Sequence, residues 1–555
     1  MTTEVKTETE VEEIKRQSDL LRGSLATELV DGELNISHAG EQLLKFHGVY
    51  AQDNRDLRRE RTLNKEPLAY SFMIRVAIPG GRVTADQWLA LDAVADDLAN
   101  GTIRLTTRQA VQYHGVAKIG LQPLAARLAE HLMTSFGGCG DIVRNIVTCP
   151  ELQTAEPDGA LSRITQQLAA NLKPATRAHF EIFVEGERAL SAEPVEEHDF
   201  YGATYLPRKF KIAIAHPGDN CVDVYAQDLG LVPVTHPEHG EGFTVLVGGG
   251  LGRNYAKEDT FARLADPLAF VTYDETESLI KAVIAAYRDL GDRTDRKRAR
   301  LKYVLADAGL DAFRTEVATR WGRPLIDPVP VLPDIDANDH LGWSEAGNGT
   351  VELGIRIGAG RVADVDGGPQ LRTALRTLAT RFSPTFYVTP NQDLIVAGLD
   401  PSDRGEIDAL LIEHQVRSEK ELGPVERTAL ACVALPTCSQ ALTEAERALP
   451  EVVDLVESSL SSVGLGDRRL QLRMTGCPNG CARPGVAELA LVGRTKTSYD
   501  VVVGGGPKGN RLARTFAEKV KLADVPELLE PLFVRWRDEG LEDEAFGDFV
   551  TRIGL

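Results

Sequence analysis

The chain has no apolar run that approaches the roughly 18 residues of a membrane span, which excludes a helical integral membrane protein. Its first ten residues are acidic and contain no apolar segment, so no signal peptide is expected. Cysteine is scarce: seven thiols, an odd number, are scattered over 555 residues. That pattern excludes a secreted disulfide framework and predicts a reducing, cytoplasmic setting. Positive charge is also short. A net charge of −20 excludes general nucleic-acid binding, which needs a basic face. What remains is the composition of an ordinary soluble globular protein, too long for one hydrophobic core, so two to four domains are expected.

The few cations are bunched. They collect at Arg55-Asp-Leu-Arg58-Arg59-Glu-Arg61, at Arg208-Lys209-Phe-Lys211 and at Arg293-Thr-Asp-Arg296-Lys297-Arg298-Ala-Arg300. A basic run is usually a solvated helix face. The second run differs because it opens an alternating stretch, Phe210-Lys-Ile212-Ala-Ile214. A strand there points Lys209 and Lys211 to one face, where they repel each other unless an anion or carboxylates lie opposite.

The chain repeats itself at a period of about half its length, which indicates a duplication. Gly80-Gly-Arg82-Val83, an amphipathic helical stretch and Ile103-Arg-Leu-Thr106-Thr-Arg108-Gln109 recur as Ala359-Gly-Arg361-Val362, Leu371 to Thr380 and Phe386-Tyr-Val-Thr389-Pro-Asn391-Gln392. Phe243 to Gly250 is echoed by Asp500 to Gly506. The expected class is therefore α+β, each copy a small helix-on-sheet unit followed by a larger mixed unit. The copies differ where chemistry would sit. Arg108 faces Asn391 in the repeat, the Arg-Lys-Phe-Lys run belongs to the first copy, and four paired cysteines belong to the second. One site between the copies is expected. Gly504-x-Gly506-x-x-Gly509 imitates a dinucleotide fingerprint, but Pro507 and Lys508 fill the turn and no strand–helix–strand unit follows. A glycine turn against another backbone is the expected reading, and electrons must then come from elsewhere.

Cys432-x5-Cys438 and Cys477-x3-Cys481 can hold an iron–sulfur cluster or zinc. The five-residue gap favours the cluster without removing zinc. Cys139 and Cys221 read as ordinary free thiols.

The segments around these cysteines, Ala431-Cys432-Val-Ala-Leu-Pro436-Thr-Cys438 and Met474-Thr-Gly-Cys477-Pro-Asn479-Gly-Cys481-Ala-Arg483, closely resemble the sirohaem and iron–sulfur sulfite reductases, in particular the hemoprotein (beta) subunit of the bacterial assimilatory type. Phe46 to Tyr50, Gln52 to Arg58, Thr204 to Lys211 and Arg293 to Lys297 are similar too, so the resemblance spans nearly the whole chain. It implies a pseudo-twofold duplicated fold with two ferredoxin-like half-domains and two larger mixed α/β domains that bind the sirohaem and the cluster. The expected divisions are an N-terminal arm (1–65), a half-domain (66–130), a sirohaem and substrate domain (131–335), a second half-domain (336–415) and a cluster and sirohaem domain (416–555).

The resemblance also implies roles. Cys432, Cys438, Cys477 and Cys481 would ligate a [4Fe-4S] cluster, with Cys481 shared with the sirohaem iron. Arg75, Arg144, Lys209 and Lys211 would hold sulfite and assist its six-electron reduction to sulfide. Arg108, Gln112, His114, Arg208, Arg300 and Asn479 would surround the sirohaem, with Arg300 departing from the lysine expected there. His114 reads equally as a hydrogen-bonded buried histidine. Some members link a tyrosine to a cysteine beside the sirohaem, and Tyr50 and Cys149 are the candidates. The electron donor would be an NADPH-dependent flavoprotein subunit or a ferredoxin, with no nucleic acid and no membrane as partner. Two rivals stand beside this reading: an assimilatory nitrite reductase, which shares the fold and cofactors, and a non-catalytic iron–sulfur or zinc protein. The acidic stretch Thr2 to Glu13 is expected to be disordered.

Overall fold

Short apolar runs punctuated by glycine build four five-stranded sheets in the computed structural model, which describes residues 7–154, 156, 159–176, 178, 181–184, 187–191, 200–329 and 337–555. Two sheets belong to the half-domains. The first runs Val49–Asp53, Tyr70–Val76, Val111–Val116, Ile103–Leu105 and Arg361–Val362; the second runs Gly342–Glu345, Val351–Ile355, Leu394–Leu399, Thr385–Val388 and Arg82–Thr84. Each copy thus lends a two- or three-residue strand to the sheet of the other. The loan depends on glycine. Gly81 and Gly360 have φ of 78° and 77°, and a Cβ there would meet Val388 O at 2.2 Å and Leu105 O at 2.3 Å. Gln109 donates across the same seam to Val388 O at 2.9 Å.

The helices that cover these sheets are set by their caps and faces. Ala85–Leu98 starts at Thr84, whose hydroxyl accepts from Gln87 N while the Gln87 side chain accepts from Thr84 N. It packs on its counterpart Leu371–Phe382, where Arg372 reaches Asp92 at 2.5 Å. Trp88 stacks on Phe386 of the other copy at 4.8 Å. The two half-domains share one core.

The larger units repeat as well. One sheet runs Val147–Thr148, Ile212–Ile214, Leu229–His236, Gly240–Val247, Asp266–Thr272; the other runs Leu430–Ala431, Leu472–Thr475, Leu489–Thr495, Ser498–Val503, Arg514–Val520. In each, the first three strands are parallel and the rest antiparallel. The echo between Phe243–Gly250 and Asp500–Gly506 is the fourth strand of each sheet and its turn. That turn is no nucleotide loop: Lys508 O accepts from Asn220 at 2.7 Å, and a Cβ on Gly509 would meet Asp223 at 2.4 Å. The expected α+β duplicated class is borne out.

One expectation fails. Within Thr2 to Glu13, residues 1–6 lie outside the described residues, but Glu10–Arg16 is a helix and Glu12 is buried. Glu12 pairs with Lys15 at 2.6 Å and with Arg293, and Lys15 and Arg296 also face Asp141. Acidic composition hid a carboxylate that neutralises a buried cationic cluster.

Candidate functional site: a basic cavity facing four thiols

Parallel strands end side by side, and that geometry delivers the thiols. Leu430–Ala431 and Leu472–Thr475 run together, so Cys432 follows one strand and the loop bearing Cys477 and Cys481 follows the other. Gly476 N donates to Cys432 Sγ at 3.3 Å. The first copy closes round this loop. Arg55 N reaches Pro436 O at 3.1 Å and its guanidinium the Cys438 carbonyl at 3.2 Å, while Thr107 donates to Cys481 O at 3.0 Å. Burial and the neighbouring thiols hold Cys432, Cys438 and Cys477 above the ordinary thiol range. Several thiolates assembled this closely need a positive partner, which a metal cluster supplies.

Opposite lies the first copy. A cavity of about 800 Å³ brings together the substrate, sirohaem and cluster residues that the resemblance implied: Arg75, Arg108, Gln112, His114, Arg144, Arg208, Lys209, Lys211, Arg300, Cys432, Cys438, Cys477, Asn479 and Cys481. Fourteen Arg and Lys side chains border it against two acids, Glu41 and Asp141. In a chain of net charge −20 this is a polyanion pocket.

Strand pairing sets Arg75 opposite Gln112, with His114 two residues further along. His114 Nδ1 lies 3.3 Å from Gln52 Oε1, and burial together with Arg361, Arg104 and Arg75 keeps the imidazole neutral. His114 is therefore a hydrogen-bonded buried histidine, and its Nε2 is buried without a partner beside the cavity. Arg108 Nη1 is likewise buried and unpartnered. Burial and the charges of Arg75 and Arg144 pull Arg108 down to about 9. The orphaned Arg108 nitrogen is a buried donor that an anionic ligand would satisfy.

The strand after the Arg-Lys-Phe-Lys run begins at Ile212, two residues later than the alternation suggested, because Phe210 makes only a single bridge with Val143. Lys209 and Lys211 still border the same cavity. Burial, Arg144 and Arg300 force Lys209 well below the usual lysine range. Burial and Arg300 bring Lys211 to about 7. Arg144 donates twice to Gly140 O, at 3.1 and 3.0 Å, which fixes its guanidinium. Arg300 departs from a free cation: it forms a fork with Asp228, at 3.1 and 2.7 Å.

The thiol beside Tyr50 is Cys139, not Cys149. Cys139 Sγ accepts from Arg75 at 2.6 Å and from the Tyr50 hydroxyl. Burial alone would raise this thiol, but Arg75, Arg108 and Arg144 bring it to about 7. Cys149 instead faces Asp219 at 3.1 Å in another part of the unit. Cys139 is thus no ordinary thiol, and its position in Gly-Gly-Cys-Gly gave no sign of the three guanidiniums. Glu446 carries no role in the sequence reading, yet it joins Arg104 at 2.8 Å to Arg361 at 2.7 Å and so ties both half-domains to the cysteine-bearing unit.

The model of the "Nitrite and sulphite reductase 4Fe-4S domain" matches residues 165–325 and 423–555, and that of the "Nitrite/Sulfite reductase ferredoxin-like half domain" matches 66–131. A sulfite reductase [NADPH] hemoprotein beta-component of Myxococcus xanthus is 44% identical over 546 residues, covering 98% of this chain and 96% of that one. A sulfite reductase [ferredoxin] of Synechococcus elongatus is 41% identical over 564 residues, covering 98% and 89%. The solved structure of the Mycobacterium tuberculosis NirA protein shares the fold, with a TM-score of 0.78 at 23% identity over 98% of this chain and 95% of that one.

Proposed function

This chain belongs to the nitrite and sulphite reductase family, and from that premise we infer that its cavity reduces sulfite to sulfide, six electrons per turnover, as an assimilatory sulfite reductase. The observation that carries the reading is the opposition of four grouped thiols to thirteen cations of the first copy across one cavity. The donor set fits both groups that the family implies. Cys432, Cys438, Cys477 and Cys481 would hold a [4Fe-4S] cluster, with Cys481 shared with the sirohaem iron. Arg108, Gln112, His114, Arg208 and Asn479 would surround the sirohaem, and the unpartnered Arg108 nitrogen would meet one of its carboxylates. When bound, the two groups supply the electrons and the iron that takes the sulfur.

The chain's own residues handle charge and protons. Arg75 and Arg144 present planar guanidiniums to the cavity and clamp the substrate oxygens. Lys211, brought to about 7 by burial and Arg300, can give a proton and regain it, as water leaves three times in each turnover. Lys209 shares that face and is forced lower still, and an anion beside it restores its charge. Arg300 acts as a strut that fixes Asp228, whose Oδ2 also accepts from Lys211 N at 3.0 Å. Tyr50 and Cys139 form the tyrosine–thiol pair beside the guanidiniums.

Electrons come from a separate protein, an NADPH-dependent flavoprotein subunit or a ferredoxin, the two donors named for the relatives. No described helix is long and apolar enough to cross a membrane, and all seven cysteines are free, which supports a cytoplasmic setting. Purified protein should show sirohaem absorption and reduce sulfite anaerobically with reduced viologen. A colourless protein, or one that turns over nitrite alone, ends this reading.

A further inference from the structure

Two cysteines outside the cavity, Cys149 and Cys221, sit where the duplication places cluster ligands. Val147–Thr148 pairs in parallel with Ala213 and Ile214 as Leu430–Ala431 pairs with Arg473 and Met474. Cys149 N then donates to Ile214 O, and Cys432 N to Met474 O, both at 3.1 Å. Cys149 is the counterpart of Cys432. Further on, Asp223 (φ 48°) and Arg483 (φ 57°) each precede a short 3-10 turn, Val224–Ala226 or Pro484–Val486. Cys221 and Cys481 stand two residues before them, which makes Cys221 the counterpart of Cys481. The position that matches Cys477 is Pro217, so the first copy has no four-thiol set.

Two other ligands complete the group. Asp219 comes from the Cys221 loop, and His340 from the segment that enters the strand Gly342–Glu345. Asp219 Oδ2 lies 3.1 Å from Cys149 Sγ and 2.8 Å from His340 Nε2, and Cys149 Sγ lies 4.0 Å from that nitrogen. All four ligand atoms fall within 4.8 Å of one another, the only such group of His, Cys, Asp or Glu among the described residues. Cys149, Asp219 and Cys221 are at most 2% exposed, and the His340 side chain 6%.

Outer contacts aim these groups inward. Asp219 Oδ1 accepts from Cys221 N at 2.8 Å and Asn338 N at 3.0 Å, which turns Oδ2 toward the thiols. His340 holds a left-handed backbone (φ 59°), and its carbonyl sits so close to Gly354 that a Cβ there would meet it at 1.7 Å. Strained backbone that presents a side chain to a buried polar cluster is a frequent mark of a binding site.

We propose that Cys149, Asp219, Cys221 and His340 bind one divalent cation, zinc, in a closed tetrahedral site. Two thiolates, an imidazole and a carboxylate are a zinc donor set. Metal–ligand lengths of about 2.0–2.3 Å put tetrahedral donors roughly 3.3–3.8 Å apart, and the separations of 2.8, 3.1 and 4.0 Å bracket that range. Binding releases the two thiol protons to solvent, and the metal replaces the proton shared by His340 and Asp219. Four protein donors leave no open position, so the site is structural. It pins the start of the second half-domain to the first large unit, and it abuts the Cys481 loop, because Cys221 O accepts from Arg483 at 3.0 Å.

Elemental analysis of the purified holoprotein tests this. The expected result is about one zinc per chain beside the iron, with two sulfur scatterers at about 2.3 Å in the zinc X-ray absorption spectrum. Cys149→Ser and Cys221→Ser should each lower zinc to below about a tenth per chain while iron and visible absorption persist. Should those variants not fold, His340→Gln should lose zinc to a chelator at least ~10-fold faster than the parent. Cys432→Ser should lower iron and leave zinc in place. Protein made with added zinc yet holding none, zinc unchanged in Cys149→Ser or His340→Gln, or a Cys149–Cys221 disulfide in the purified chain would each overturn the proposal.

Discussion

Asp223→Asn removes the charge that joins the two copies next to the cysteine loop. Asp223 Oδ2 lies 2.6 Å from Arg473 Nη1 and 3.0 Å from Arg483 Nε, and the three side chains are 1%, 5% and 5% exposed. The amide leaves two buried guanidiniums facing each other with nothing negative between them. At an effective dielectric near 20, unit charges ~4 Å apart interact by about 4 kcal/mol. Breaking a buried ion pair by removing one partner costs about 3–5 kcal/mol, so the expected loss is in that range. Arg483 is two residues from Cys481, so the loss should fall first on the cluster loop. Urea titration followed by iron release should shift by roughly 1 M or more at slopes of about 1–3 kcal/mol/M. Asp56→Asn is the control, because Asp56 meets Arg447 at 2.8 Å with both side chains about half exposed. That pair should contribute no more than ~1 kcal/mol. A shift for Asp223→Asn no larger than for Asp56→Asn would refute the reasoning.

The remaining expectations concern the cavity and its supports. Lys209→Ala and Lys211→Ala should each cut sulfite turnover by roughly 10²-fold or more while one-electron reduction of the haem stays within a few-fold; equal loss of both would remove them from the substrate site. Lys211 is brought from 10.5 to about 7 by burial and Arg300, so its charged form predominates below about 7 and is lost as pH rises through that value. Sulfite turnover should therefore fall on an alkaline limb at or above about 7, and Lys211→Arg, which keeps a charge but cannot pass on a proton, should lower the rate and remove that limb; a limb at the same pH in Lys211→Arg assigns it to another group. Glu446→Gln leaves Arg104 and Arg361 uncompensated and should destabilise the protein by about 3 kcal/mol by denaturant midpoint, with less than 1 kcal/mol counting against its bridging role.

Much of this was legible because duplication writes itself twice. The Gly-Gly-Arg-Val and Ala-Gly-Arg-Val turns marked equivalent positions, and the cation run and cysteine pairs marked opposite walls. The strand exchange was not legible, since strands as short as Arg82–Thr84 and Arg361–Val362 carry no period to read. The choice between Cys139 and Cys149 as the neighbour of Tyr50 also escaped, because sequence distance to a tyrosine says nothing about which loop folds over it. Glu12 was misjudged for the opposite reason. Its surroundings are acidic in sequence and cationic in space, and only the packing of Arg293 and Lys15 on that helix shows it.

The exchanged strands bear on how such a chain can be cut. A break between the copies leaves either fragment with a sheet that lacks its fifth strand and exposes a bare edge. Neither fragment is then a smaller version of the whole. Each is a lock whose key was moulded into the other, and two such pieces made separately should regain order only in each other's company, at a rate that rises with concentration.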